Sequence, residues 1–120
     1  MSEGRLAAWR RGRHAESLAA IMLTLKGYRL LQRRFRVPAG EIDLIARRGR
    51  LIAFIEVKAR RNRTEAAESV SLHQRRRIEN AAEAYLARHP DLVGCNIRFD
   101  AILVTPRRLP LHLTDAWRPE

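Results

Sequence analysis

Gly40–Lys58 reads GEIDLIARRGRLIAFIEVK, and the fold turns on how this stretch is read. Glu41–Ala46 alternates apolar and polar side chains, Leu51–Lys58 reads as a second strand, and Arg47-Arg48-Gly49-Arg50 stands between them as turn chemistry. That is the signature of a β-hairpin. Three charged side chains sit inside it where a sheet ordinarily buries apolar ones. Asp43 lies between Ile42 and Leu44, and Glu56 and Lys58 flank Val57. Side chains alternate across a strand, so Glu56 and Lys58 project from one face. A tight turn near Arg48-Gly49 brings Asp43 opposite or diagonal to Glu56. Two carboxylates and an ammonium are therefore expected together on one face of the hairpin.

Outward from the hairpin, Ala15, Leu18, Ala19, Met22 and Leu25 recur at helical spacing, and Gly27 caps that helix. Tyr28–Val37 reads as a strand closed by the turn Pro38-Ala39-Gly40. Beyond the hairpin, Arg60–Glu68 is polar and aperiodic, which predicts a mobile loop. Val70–Arg88 reads as a second helix with Gln74, Ile78, Ala81, Ala82 and Tyr85 on one face, ended by His89-Pro90. Ile97–Val104 is an apolar strand closed by Thr105-Pro106. The remainder, Arg107–Glu120, covers a sheet edge or mediates association through Leu109–Leu113 and Trp117. Helix, three strands, helix, strand predicts an α/β fold with a mixed central sheet flanked by helices. At 120 residues, one domain is expected over 1–120, with its core about 11–104 and a tail over 105–120.

Lys and Arg number 24 against 13 Asp and Glu, for a net charge of +11. So basic a folded chain suggests a polyanionic partner, nucleic acid first. An arginine-rich composition alone could produce the same solvated surface, since only Lys26 and Lys58 are lysines. Aromatic residues make up 6%, which argues against a single-strand binder built on base stacking. The one cysteine, Cys95, excludes an internal disulfide and a multi-cysteine zinc site. The four histidines have no ligand spacing. No apolar run approaches the roughly 20 residues of a bilayer span, and the arginine-rich beginning has no signal-peptide core. A cytoplasmic protein is expected.

Two neighbouring carboxylates repel, and leaving them buried and unpaired is costly. A divalent cation bridging Asp43 and Glu56 would compensate them, and hard oxygen ligands suit Mg²⁺ or Mn²⁺. Lys58 would then bond a metal-bound water or steady charge on a phosphate under attack. These are the needs of phosphodiester hydrolysis. The competing reading is a partly exposed salt-bridge group on a wet sheet face. Lys58 favours the first, because an ammonium stands there in a chain that elsewhere chooses guanidinium. Glu16, on the first helix, is either a further ligand or a solvent-facing glutamate. Gln74 either meets a phosphate or bound water, or is an amide satisfied by backbone.

Gly12-Arg13-x-Ala15-Glu16, Gly27-Tyr28, Phe35-Arg36, Gly40–Ala46, Phe54-Ile55-Glu56-Val57-Lys58-x-Arg60 and Arg98-Phe99-Asp100 occur in that order. Together they resemble the YraN-like uncharacterised bacterial family (UPF0102), a branch similar to the PD-(D/E)xK nucleases and close to archaeal Holliday-junction resolvases. The likeness covers roughly 11–104. It implies a restriction-endonuclease-like fold, Asp43 and Glu56 as metal ligands, Lys58 as the catalytic lysine, and Glu16 as the helix glutamate completing the site. Gln74 matches the family pattern less closely, since the Phe-Gly usual before the second helix is missing. The implied activity is Mg²⁺- or Mn²⁺-dependent endonuclease action on nucleic acid, DNA before RNA, with branched DNA a candidate substrate. The alternative is nucleic-acid binding without cleavage, through a vestigial site. A junction substrate would call for a homodimer.

Overall fold

The computed structural model describes residues 3–61 and 70–120, and side chains within the first helix from Gly12 onward. The expected loop Arg60–Glu68 lies almost wholly outside these residues. The elements are helix α1 (Glu3–Leu25), strands β1 (Arg29–Val37), β2 (Gly40–Arg48) and β3 (Leu51–Ala59), and helix α2 (Leu72–Ala87). A 3₁₀ turn over Pro90–Leu92 then leads to β4 (Asn96–Val104) and β5 (Leu111–Trp117).

The strands form one sheet in the order β1-β2-β3-β4-β5. All neighbours are antiparallel except β3 and β4, which run parallel because α2 lies in the connection between them. This five-stranded mixed sheet between two helices is the expected α/β architecture and is compatible with a restriction-endonuclease-like fold.

Each helix covers one face of the sheet, and the strands are patterned to suit. Ile45, Ile52, Phe54 and Phe99 pack with Ile78, Ala81 and Tyr85 of α2. Leu44, Ala46, Ala53, Ile55 and Ile102 pack with Ala19 and Leu23 of α1. A central strand buried on both faces must be apolar at successive positions, and Leu51–Ile55 meets that need. Two glycines are required by geometry. Gly27 (φ 89°) closes α1 with the Tyr28 amide donating to the Leu23 carbonyl at 2.9 Å. Gly40 passes so close to α2 that a Cβ there would overlap the Arg77 carbonyl. Only glycine lets β2 approach the helix at that point.

The tail is a fifth strand, which the pattern over Arg107–Glu120 does not predict. Leu111–Thr114 alternates for only four residues after Pro110, and Asp115 breaks the pattern, so the strand is recognisable only from its partner. Leu111 and Leu113 pack beside Ala101 and Leu103, and Trp117 stacks on Phe99 at 5.4 Å. Of the tail's two expected roles, these side chains serve the first and cover the edge of β4.

Candidate functional site

The β2–β3 ladder starts tightly. Arg48 pairs with Leu51, and Gly49 between them takes the positive φ (61°) that suits a two-residue turn. Pairing proceeds to Leu44–Ile55 and stops. One further step would set Asp43 against Glu56. There the Asp43 carboxylate replaces the ladder, its Oδ2 accepting the Val57 amide at 2.8 Å. Glu56 bonds to Asp43 through its own carboxyl, and Glu56 Oε1 lies 3.1 Å from Lys58 Nζ. The side chains of Glu56 and Lys58 are only 14% and 10% exposed. The hairpin thus gathers both acids and the ammonium where its backbone pairing ends.

Burial dominates the electrostatics of this group. It lifts the Glu56 carboxyl to about 8, the charge of Asp43 adds to the rise, and Lys58 only partly opposes it. Asp43 is raised by burial too, against the lowering effect of the Val57 amide, the Glu56 hydrogen bond and Lys58. Both carboxyls are raised by burial, so near neutral pH the pair favours holding a proton between them.

Glu16 reaches the same neighbourhood from α1. Its carboxyl is raised by burial and then by the charge of Asp43. Its oxygen is held by Arg34, whose Nε donates to Oε1 at 2.9 Å. Arg34 takes a left-handed backbone conformation (φ 53°), which is strained for a side chain of its kind. The sequence reading did not single out this arginine, because positive φ leaves no mark on a non-glycine residue. Glu16, Asp43 and Arg34 line a hollow of about 220 Å³, with Arg13 and Arg36 at its border. Among the described residues no three His, Cys, Asp or Glu side chains form a ready-made cation cage.

Gln74 stands at the start of α2. It is the third residue of α2, and its Oε1 accepts the Ser71 amide at 3.2 Å while the Ser71 hydroxyl accepts the Gln74 amide at 3.1 Å. This is a reciprocal capping box, so Gln74 serves the helix start. The backbone-satisfied amide is the reading that matches.

A second charged group lies one register step away on β4, where Asp100 pairs with Ile55. Asp100 is fully buried. It accepts from Arg98 Nε and Nη2 at 2.8 and 2.7 Å, from His112 Nε2 at 2.7 Å and from the Asp115 amide at 3.0 Å. Arg98 Nη2 also donates to the Tyr28 hydroxyl at 2.7 Å. Burial alone would raise the Asp100 carboxyl, yet these hydrogen bonds hold it down to about 2. A charged residue within the apolar run Ile97–Val104 was the legible signal. Its partners His112 and the Asp115 amide come from β5, and Tyr28 joins through Arg98.

Fold and site define a small α/β protein whose mixed sheet lies between two helices and carries a buried acid–acid–lysine group at the end of a hairpin ladder. The model of the Uncharacterised protein family UPF0102 matches residues 15–104, and the chain belongs to that family. A UPF0102 protein of Parvibaculum lavamentivorans is 54% identical over 95% of this chain and 86% of the relative. Those of Paramagnetospirillum magneticum and Nitrobacter winogradskyi are 53% and 54% identical, over 98% and 94% of this chain and 94% and 96% of the relatives. Among the described residues no helix is long and apolar enough to cross a membrane.

Proposed function

We propose that the chain is a divalent-metal-dependent endonuclease that binds nucleic acid, DNA before RNA, and hydrolyses its phosphodiester bonds. One observation carries the reading: Asp43 and Glu56 meet where the ladder ends, with Lys58 Nζ 3.1 Å from Glu56. The donor set suits a hard cation, because two buried carboxylates with one proton between them can exchange that proton for Mg²⁺ or Mn²⁺. Mg²⁺ commonly takes one or two protein carboxylates and completes its shell with water and substrate phosphate. A three-residue cage is therefore not required.

Asp43 and Glu56 would hold the metal. When bound, it supplies neutralisation of phosphate charge and acidification of its own water. Lys58 presents an ammonium with three donors and stabilises charge that grows on phosphate oxygens during attack. Glu16, beside Asp43 but tied to Arg34, sets the position of that arginine, and with Glu41 it is a further acidic group lining the hollow. The net charge of +11 concentrates the polyanion around the site. The likeness to PD-(D/E)xK nucleases supports the same roles. With Cys95 a free thiol, the reading extends to a reducing cytoplasm. A branched substrate cut symmetrically would further require two copies related by a two-fold axis.

The test incubates pure protein with branched, duplex and single-stranded DNA in Mg²⁺ or Mn²⁺. Cleavage that disappears in both Glu56→Ala and Lys58→Ala is expected. Cleavage persisting in either variant overturns the assignment. Salt-sensitive binding without any cutting leaves the vestigial-site alternative.

A further inference from the structure

A second hollow, of about 910 Å³, opens beyond the carboxyl ends of the parallel strands β3 and β4, where Ala59 and Val104 line it. Crevices at this end of parallel strands are the usual ligand seats of α/β sheets, and the volume lies within the range of small-molecule sites. Its wall is apolar, from Leu18, Val104 and Leu109, while Arg60, Arg107 and Arg108 stand around it. Among the described residues its lining contains no Asp or Glu. Thr105 also lines it. This residue is 94% buried (relative exposure 6%), and its hydroxyl has no hydrogen-bond partner among the described residues. Basic groups around an apolar wall match a ligand that is apolar on one side and anionic on the other.

We infer that this hollow is the seat of one unstacked nucleotide of the bound strand, its base against the Leu18–Val104 wall and its phosphate on Arg107 and Arg108. The inference rests on the nucleic-acid reading but not on cleavage. The position suits a nucleotide next to the reacting phosphate. Arg60 follows Lys58 by two residues, about 7 Å of extended chain. On α1, Leu18 and Glu16 lie two residues apart, so one stretch of helix borders both hollows.

The test uses the full chain carrying Glu56→Gln, without metal, so that nothing is cut. Backbone amide NMR shifts and calorimetry are recorded with dAMP, with a trinucleotide and with inorganic phosphate. Both nucleotide probes are expected to shift Leu18, Val104 and Thr105, and the trinucleotide to bind more tightly than dAMP. Arg107→Ala with Arg108→Ala should weaken binding about ten-fold or more. Phosphate binding as tightly as dAMP, or nucleotides leaving those three amides unmoved, overturns the pocket. A trinucleotide no tighter than dAMP overturns its assignment to the strand. Nucleotide binding with no cleavage of any DNA by the wild type overturns the endonuclease alone. Cleavage with a silent pocket overturns this inference alone.

Discussion

Asp100 and the Asp43–Glu56 pair lie on the same sheet, one register step apart across β3 and β4, yet their environments are opposite. Asp100 receives four donors, which matches the lone pairs of a carboxylate, and is held down to about 2. Asp43 and Glu56 share one backbone amide, one ammonium and one proton, and both are raised. The first group is complete within the chain. It ties β5 to β4 and draws Tyr28 into the same network. The second is deficient in positive charge, and a ligand can supply what the fold withholds. Buried charge as such therefore says little about function, whereas the balance of donors around it says a good deal.

Breaking each group in turn tests this contrast, and the largest effect is expected on catalysis. Glu56→Gln keeps the shape but removes the anionic ligand, and DNA cleavage should fall by about 10²-fold or more in a single-turnover assay. The same variant should unfold in urea at the wild-type midpoint or above it, since a strained acid is relieved. Asp100→Asn should do the reverse for stability. It leaves the half-buried Arg98 beside a neutral amide and an unmatched donor on a fully buried side chain, and unfolding in urea should show a loss of about 3–5 kcal/mol.

The pH dependence sharpens the comparison, because the two shifts have opposite signs. Glu56 titrates near 8 when folded against an ordinary 4.5, so the folded state binds its proton more tightly. Its contribution is full below about 4.5 and is lost as pH rises through about 8. Asp100 titrates near 2 against 3.8, so its contribution is full above 3.8 and is lost as pH falls through about 2. Thermal melts should show stability declining from about pH 5 to 8 in the wild type and a flatter profile in Glu56→Gln. If Mn²⁺ takes the place of the shared proton, at 100 times its Kd it should add about 2.7 kcal/mol at pH 8. It should add less at pH 5 and little in the variant.

The smallest expected effect separates Gln74 from the site. Gln74→Ala removes half of a capping box and should lower stability by about 0.5–1 kcal/mol. Cleavage measured at a temperature where both proteins are folded should stay within a few-fold of wild type. A loss comparable to that of Glu56→Gln would show that the glutamine leaves its cap to meet substrate.

Much of the hairpin was legible because its signals are local. Alternation in Glu41–Ala46, a glycine-centred turn and charges set among isoleucines and leucines determine which residues face which. The register that points Asp43 at Glu56 follows from counting outward from Gly49. The fifth strand was not legible, because Leu111–Trp117 acquires its conformation from the edge of β4. Arg34 and Thr105 were equally silent, since a strained φ and an orphaned hydroxyl exist only once the chain has folded around them. Gln74 stood on the apolar face of α2 as expected, but the distance from Ser71 decided its task.

The order of residues alone determined a basic α/β chain with two acids and a lysine on adjoining strands, because side-chain period and turn chemistry act over a few residues. Tertiary structure decided which buried acids are satisfied. That depends on donors such as His112 and the Asp115 amide, brought to Asp100 from another strand, and on how much water packing excludes from each carboxylate.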